Sequence, residues 1–388
     1  MKLKNKRGFT LIELLAVIVV LAIIALIATP IVMNTIKNAK KGAAERTADN
    51  YIKQVETAVA EAKLENKSVP NGVYTIDENG NLGNVYTYDD DLCASEPSDM
   101  NCMFGTEQKI NVEMNGTKPS RGTLKIENGG VSKEETTLMI NNYYVAYKKD
   151  KMVATEVSDA LSKSLCVYIA GDTPYSFGAQ YVCELGDGEK NIFYLLEDGD
   201  TTKLTEGRIA QNGEVSLIMN ANIDSNGRAI TKKLPDDLGL TAWCSKTDYL
   251  AAGGTEDDWN EQYTNAGNNN LGPITANKSL EKWTLNWNKI TDKTKVTLPT
   301  AYQIAVAAGE QFDNTTSYVK NLPSWSVDYL KLNYGELCGY WTSTPYISND
   351  YVETAHDVYY GEFIGYYGIT SADHGVRPVI TVLKSQLG

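Results

Sequence analysis

Apolar and polar positions fall into three successive patterns along this chain. From Leu11 to Met33 nearly every residue is apolar, and Glu13 is the single charge. The stretch from Leu14 to Met33 is about twenty residues, long enough to cross a bilayer as a helix. Beyond it, Val32, Ile36, Ala39 and Ala43 recur at helical spacing, followed by Ala48, Ile52, Val55, Val59 and Ala62. Lys40, Lys41, Arg46, Asp49, Lys53 and Glu56 fall off that stripe. Gly42 interrupts the pattern locally, and Pro70 with Gly72 ends it. The expectation is one helix from Phe9 to about Leu64, roughly 80 Å long at 1.5 Å per residue.

From about Gly72 the pattern turns to β. Gly72–Ile76 and Asn84–Tyr88 are strand-like runs on either side of the turn-rich Asp77–Asn81, and Leu138–Ile140 and Tyr143–Tyr147 flank Asn141-Asn142 as a hairpin. Cys166–Cys183 and Ile192–Leu196 extend the sheet or decorate it. The last 150 or so residues are rich in Trp, Tyr, Asn and Gly. There Lys295–Thr300 reads as a strand end leading into a short helix through Ile304, Ala305 and Ala308, with Thr300 as N-cap. The predicted class is α+β: a helical stem over residues 9–64, a β head over 65–238, and a separate module over 239–388. Pro235–Gly239 is the seam.

Charge separates the stem from the rest. Residues 1–64 hold 10 Lys and Arg against 5 Asp and Glu, whereas the remainder holds 26 against 44, within an overall net charge of −13. An acidic outer region disfavours binding to a phosphate backbone, so no nucleic-acid partner is indicated. The basic leader (Lys2, Lys4, Lys6, Arg7) keeps the N-terminus cytoplasmic and places the chain beyond the span outside. Lys37, Lys40 and Lys41 after the span weaken that bias somewhat.

Lys6, Arg7, Gly8, Phe9, Thr10, Leu11, Glu13 and Pro30 together resemble the class III signal of type IV pilins and pseudopilins. The resemblance implies cleavage between Gly8 and Phe9 by a prepilin peptidase, leaving residues 1–8 as the leader, and N-methylation of Phe9. It also implies that Glu13 and Pro30 serve filament assembly. Physically, a carboxylate in a greasy filament core is unfavourable unless an opposite charge lies nearby. The new α-amino group of Phe9 on a neighbouring stem is the expected partner of Glu13. The alternative is a plain membrane anchor with Glu13 at the interface. The segment Asn115–Ile126 is similar to a motif of pilin-like proteins from Gram-positive bacteria.

Six Cys, at 93, 102, 166, 183, 244 and 338, agree with export. Sequential pairing (93–102, 166–183, 244–338) is the expected connectivity, with reduced buried thiols as the alternative. No CxxC or Cys/His cluster suggests zinc. Asp224 and Asn226 lie in Asn222–Gly227, which resembles a segment that binds calcium in some pilin-family heads. An ordinary turn is the preferred reading, calcium the weak one, and no other cofactor is expected.

Gly339-Tyr-Trp341-Thr-Ser-Thr-Pro345, Ala355–Tyr360 and Gly375-Val-Arg377-Pro-Val-Ile380 resemble C-type-lectin-like modules related to the formylglycine-generating family. That enzyme family's paired cysteines and the lectins' calcium and sugar motifs find no match, so the resemblance implies a fold and not an activity. His356 beside Asp357 and His374 beside Asp373 invite an acid–base or metal reading, against which stands that of solvated loop residues. Trp325, Trp341, Tyr359, Tyr360, Tyr366 and Tyr367 are either core or a ligand surface. Leu298–Tyr302 lacks the remainder of a sortase signal, and no P-loop, nucleophile elbow or metalloprotease motif occurs.

The expected function comes from the pilin resemblance. It is a non-enzymatic structural subunit of an extracellular type IV pilus, held in the cytoplasmic membrane as a single-pass precursor until assembly. Its partners would be copies of itself, the peptidase, the assembly platform and minor pilins. The alternatives are a minor or tip subunit acting as adhesin, and a pseudopilin of a secretion or DNA-uptake system.

Overall fold

The computed structural model describes residues 11–67, 69–87, 106–201, 206–230, 237–260, 268–313, 315, 318–320, 322–326, 333–334, 337–347, 354–359 and 363–388. Helix α1 runs unbroken from Leu11 to Leu64, 54 residues, passing through both Pro30 and Gly42. Pro30 has no N–H to give the helix ladder. The hydroxyls of Thr29 and Thr35 on either side donate to the carbonyls of Ala25 (2.6 Å) and Ile31 (2.9 Å). The helix ends in a Schellman-type cap. Asn66 takes a left-handed φ of 59° and Lys67 N–H reaches back to the Ala62 carbonyl at 2.9 Å.

A seven-stranded antiparallel sheet lies on the C-terminal part of α1. Its strands are β1 (Gly72–Ile76), β2 (Leu82–Thr87), β3 (Thr106–Ile110), β4 (Arg121–Glu127), β5 (Gly130–Ile140), β6 (Tyr143–Lys148) and β7 (Lys151–Glu156), in the order β3-β2-β1-β4-β5-β6-β7. Ala44, Ala48, Tyr51, Ile52, Val55, Val59 and Ala62 of the helix are buried against Tyr74, Ile76, Leu124, Ile126, Leu138 and Val145 of the sheet. The helical stripe is as read from the sequence, except that Ala44 faces the sheet and Ala43 faces solvent. Alanines at 44, 48, 58 and 62 bring the helix close to the sheet, and polar side chains set its axial position. Glu45 accepts the Ala154 amide (3.1 Å), Tyr51 donates to the Gly80 carbonyl (3.1 Å), and Lys37 pairs with Glu156 (2.6 Å).

The second unit holds a six-stranded antiparallel sheet in the order β12-β18-β11-β10-β9-β8. These strands are β8 (Cys166–Ala170), β9 (Gln180–Cys183), β10 (Asn191–Asp198), β11 (Glu214–Met219), β12 (Val296–Thr297) and β18 (Val379–Leu383). Between β12 and β18 come a short pair, β13 (Asn333–Tyr334) and β14 (Leu337–Cys338), and a three-stranded sheet of β15 (Tyr340–Pro345), β16 (Thr354–Tyr359) and β17 (Phe363–Gly368). The register Leu217↔Ile380 joins residues from both sides of the expected 238/239 seam. Gly388 N–H also returns to the Cys166 carbonyl at 2.8 Å. The second unit therefore begins near Ser158 rather than at 239. Strands β8–β11, expected in the head, belong to the C-terminal module's sheet, because β11 hydrogen-bonds to β10 along one edge and to β18 along the other.

Both faces of this sheet are covered. Phe193, Leu195, Val215, Leu217 and Ile380 face a core with Trp243, Tyr249, Leu280 and Trp287. Leu196, Ile218 and Val379 face Ile304 and Ala305 of the helix Ala301–Ala307. That helix starts at Thr300 as expected, in a full capping box. Thr300 Oγ1 accepts Gln303 N–H and Gln303 Oε1 accepts Thr300 N–H, each at 3.0 Å. The two units meet where Tyr144 and Met139, on the sheet face turned away from α1, pack on Val167, Ile169, Val182 and Ile192.

Candidate functional site

The sheet covers only one end of α1. From Leu11 to about Ile36 the helix projects bare, with Leu11, Ile12, Leu26 and Ile31 each more than 60% exposed. Among the described residues, α1 is the helix long and apolar enough to cross a membrane, and none of its most apolar stretch is buried within the chain. Burying one large aliphatic side chain is worth about 1.5–3 kcal/mol. A bare run of this length therefore needs lipid or neighbouring chains around it.

Glu13 lies in the first turn of α1, the end where the helix dipole favours an anion. It is the one carboxylate before Glu45, so its place along the stem is unique. Pro30 lies near the far end of the apolar run, with continuous helix on both sides. Gly8 and Phe9, the expected cleavage pair, lie outside the described residues, as do Cys93 and Cys102.

Cys166 and Cys183 face each other across the β8–β9 ladder, Cα to Cα 4.1 Å, and form a disulfide. Cys244, expected to pair with Cys338, is a buried free thiol, its amide bonded to the Ile369 carbonyl; the side chain of Cys338 lies outside the described residues. Burial, reinforced by the nearby Asp248 carboxylate, pushes the Cys244 thiol up to about 11. Alkylation of Cys244 at pH 8 is therefore expected to be about two orders of magnitude slower in the native protein than in denaturant. Peptide mapping should also show Cys166 and Cys183 labelled only after reduction. Fast native labelling of Cys244 would contradict this placement.

Asp224 and Asn226 form a turn between the bridged residues Ile223 and Ala229. Asp224 Oδ1 accepts the amides of Asn226 and Arg228, each at 2.9 Å, and Gly227 takes a φ of 75°. One oxygen of the carboxylate is thus held by the turn's own amides. Among the described residues no group of three or more His, Cys, Asp or Glu is placed to hold a metal ion.

The two histidines are not solvated loop residues. His356, His374 and Asp357 are fully buried. His374 Nε2 lies 2.8 Å from Asp357 Oδ2, and its Nδ1 lies 2.7 Å from Asp373 Oδ1. An acidic side chain at each ring nitrogen favours the doubly protonated ring, in which both nitrogens donate. Burial alone would lower its pKa, but the hydrogen bonds to Asp357 and Asp373 outweigh it and raise it above the usual histidine range. The ring stacks on Trp341 at 4.1 Å and touches Tyr367 at 4.9 Å. With His374 and Asp357 fully buried and Asp373 partly so, the trio ties the segment before β18 to β16. Arg377 is a second buried cation, one to which the sequence pattern gives no role. It donates to the carbonyls of Met219, Ser326 and Trp325 at 2.6–2.7 Å. The adjacent His-Asp and Asp-His pairs are the visible signal for the trio; spacing alone does not show that they converge.

The aromatic residues divide. Trp341 is core, Tyr366 stacks on Tyr346 at 4.1 Å, and Trp325 lies partly open against Tyr194 at 5.8 Å. The side chain of Tyr359 and all of Tyr360 lie outside the described residues.

Residues 3–29 match the family model of the prokaryotic N-terminal methylation motif. No curated protein and no solved structure gives a match to this chain. The motif supports the N-terminus of a pilin- or pseudopilin-type precursor, a structural and non-enzymatic kind of protein. The apolar helix fits a membrane-anchored precursor that is processed by a prepilin peptidase and then assembled.

Proposed function

We propose that this chain is a structural subunit of an extracellular type IV pilus. A peptidase cuts between Gly8 and Phe9, Phe9 is N-methylated, and the stem leaves the membrane to pack among copies of itself. The observation that carries this reading is the bare stem within α1, apolar except for Glu13 in its first turn, under the methylation motif at residues 3–29. Each copy would add an apolar strut to a common core, and Glu13 would set its height by pairing with a neighbour's Phe9 amino group. The assembly platform and minor pilins are the further partners.

The two-unit head favours a subunit present in limited numbers as a second reading, because a second six-stranded unit beside the pilin-type sheet widens every copy. In either reading we take the C-terminal unit as lectin-like on its sequence motifs. The return of the chain end to β8 and the burial of Trp341 and Arg377 from those motifs are compatible with that reading.

Mass spectrometry of the protein from sheared filaments tests the first step. The expected mature chain starts at Phe9, lacks residues 1–8 and carries one added methyl group. A chain retaining Met1 in cells with an active peptidase refutes the proposal.

A further inference from the structure

We propose that the groove between the two units is a binding site for a neutral saccharide chain. This inference stands on the groove itself and does not depend on filament assembly. Two adjoining cavities, of about 750 and 530 Å³, share Thr123, Thr137 and Asn220 as lining residues. The floor is the face of β1, β4 and β5 turned away from the stem. There Thr75, Thr123 and Thr137 alternate with residues buried under α1. The opposite wall comes from the second unit: Gln180 on β9, Asn191 on β10, and Asn220 just past β11. Thr137 Oγ1 donates to Gln180 Oε1 at 2.7 Å across the middle, so the two walls are held at fixed separation.

Four features select the ligand. First, Asn191 is 8% exposed, lines the larger cavity, and its Nδ2 has no hydrogen-bond partner. A buried amide donor left unpaired costs about 1–3 kcal/mol, which a ligand oxygen would recover. Second, the Arg228 guanidinium stands exposed on the rim of the same cavity with no ion pair among the described residues. It offers several donors in one plane, a geometry that suits paired hydroxyls. Third, at the far end Trp325 lies over Gly178 and stacks on Tyr194, giving the apolar face of a sugar ring a flat surface. Gly178 has a φ of 74°, and any Cβ there would collide with the indole, so this arrangement depends on glycine.

Fourth, the charges along the groove include Lys109, Arg121 and Lys149 as well as Asp77, Glu189 and Asp172, which leaves no net field to hold a polyanion. A peptide is disfavoured because the floor is a sheet face. Its backbone groups are already spent on the β1–β4 and β4–β5 ladders, so no strand can be added there.

The test uses the full chain in a detergent without sugar head groups, applied to an array of neutral, amino-containing and anionic oligosaccharides and a pool of extended peptides. Retention of one or more neutral oligosaccharides is expected, with affinity roughly tenfold or more weaker in Trp325→Ala and several-fold weaker in Arg228→Ala. Arg228 is on the surface, so its variant should keep the wild-type near-UV circular dichroism and melting temperature, which separates lost binding from lost fold. The proposal is overturned if no neutral saccharide is retained, if anionic saccharides or peptides are preferred, or if Arg228→Ala binds as the wild type does. Filaments imaged in the same cells report on assembly independently of any of these outcomes.

Discussion

His374→Leu is expected to destabilise the second unit by roughly 3–5 kcal/mol, the cost of removing one partner from a buried ionic cluster. The mutation leaves Asp357 and Asp373 facing each other through an apolar side chain where a cation held both. Asp357 already has one buried oxygen, Oδ1, without a hydrogen bond, so the site has no spare donor to absorb the loss. The decisive comparison is His374→Leu with the double variant His374→Leu, Asp357→Leu. If unpaired charge is the cause, the double variant should be the more stable of the two, although it carries one more change. Trp341, 4.1 Å from the imidazole, makes its near-UV signal a local probe of the unfolding.

The pH dependence has a defined sign. A histidine whose pKa is raised on folding contributes stability that is complete below its unfolded value, about 6.5, and is lost as pH rises through the folded one. For Asp373, burial opposes ionisation but bonds from His374 and Ser371 hold its carboxyl below the usual range. Its contribution is therefore complete above about pH 3.9 and fades as pH falls through the lower folded value. Wild type should thus lose stability on the alkaline side, and His374→Leu should lack that limb. An alkaline limb of equal size in the variant would show that the imidazolium is not its source.

How much of this can be read from the residues depends on how far apart the interacting positions lie. The stem is legible because helical period and apolar run are local: α1 ends at Leu64, as the pattern implies, and Pro30 and Gly42 do not break it. The strand Gly72–Ile76 and the hairpin at Asn141-Asn142 are legible for the same reason, since alternation and a φ of 55° at Asn141 are neighbourhood properties. The division into units is not. Strands β11 and β18 are buried on both faces and so show no alternation, and they pair across more than 150 intervening residues, as Leu217↔Ile380 illustrates. The expected seam sits at a Pro-Asp-Asp-Leu-Gly signal, but the chain crosses there between elements of one sheet. His374 and Asp357 likewise come together only because β16 and the segment before β18 are neighbours in space. Adjacent His and Asp letters give the residues without their burial, and so they read as solvated.

Glu13→Ala is expected to leave the precursor in the membrane and to reduce surface filaments by two orders of magnitude or more. The alanine keeps the helix, since alanine has the highest helix propensity, and it lengthens the apolar span rather than interrupting it. Insertion and orientation rest on the apolar run and the basic leader, which the variant retains. On the proposed pairing, removing the carboxylate would leave each neighbour's Phe9 amino group in a low-dielectric core with no counter-charge. Breaking a buried pair from one side costs about 3–5 kcal/mol, and at 1.4 kcal/mol per factor of ten each subunit addition would weaken by roughly two to three and a half orders of magnitude. Glu13→Gln separates charge from hydrogen bonding: it keeps an acceptor but no charge, and should assemble poorly if attraction to an ammonium is what matters. Immunoblotting of membranes and of the sheared fraction gives both quantities from one culture. Wild-type filament yield from Glu13→Ala would remove the pairing role and leave the apolar run of α1 a membrane anchor whose one acid has no part in assembly.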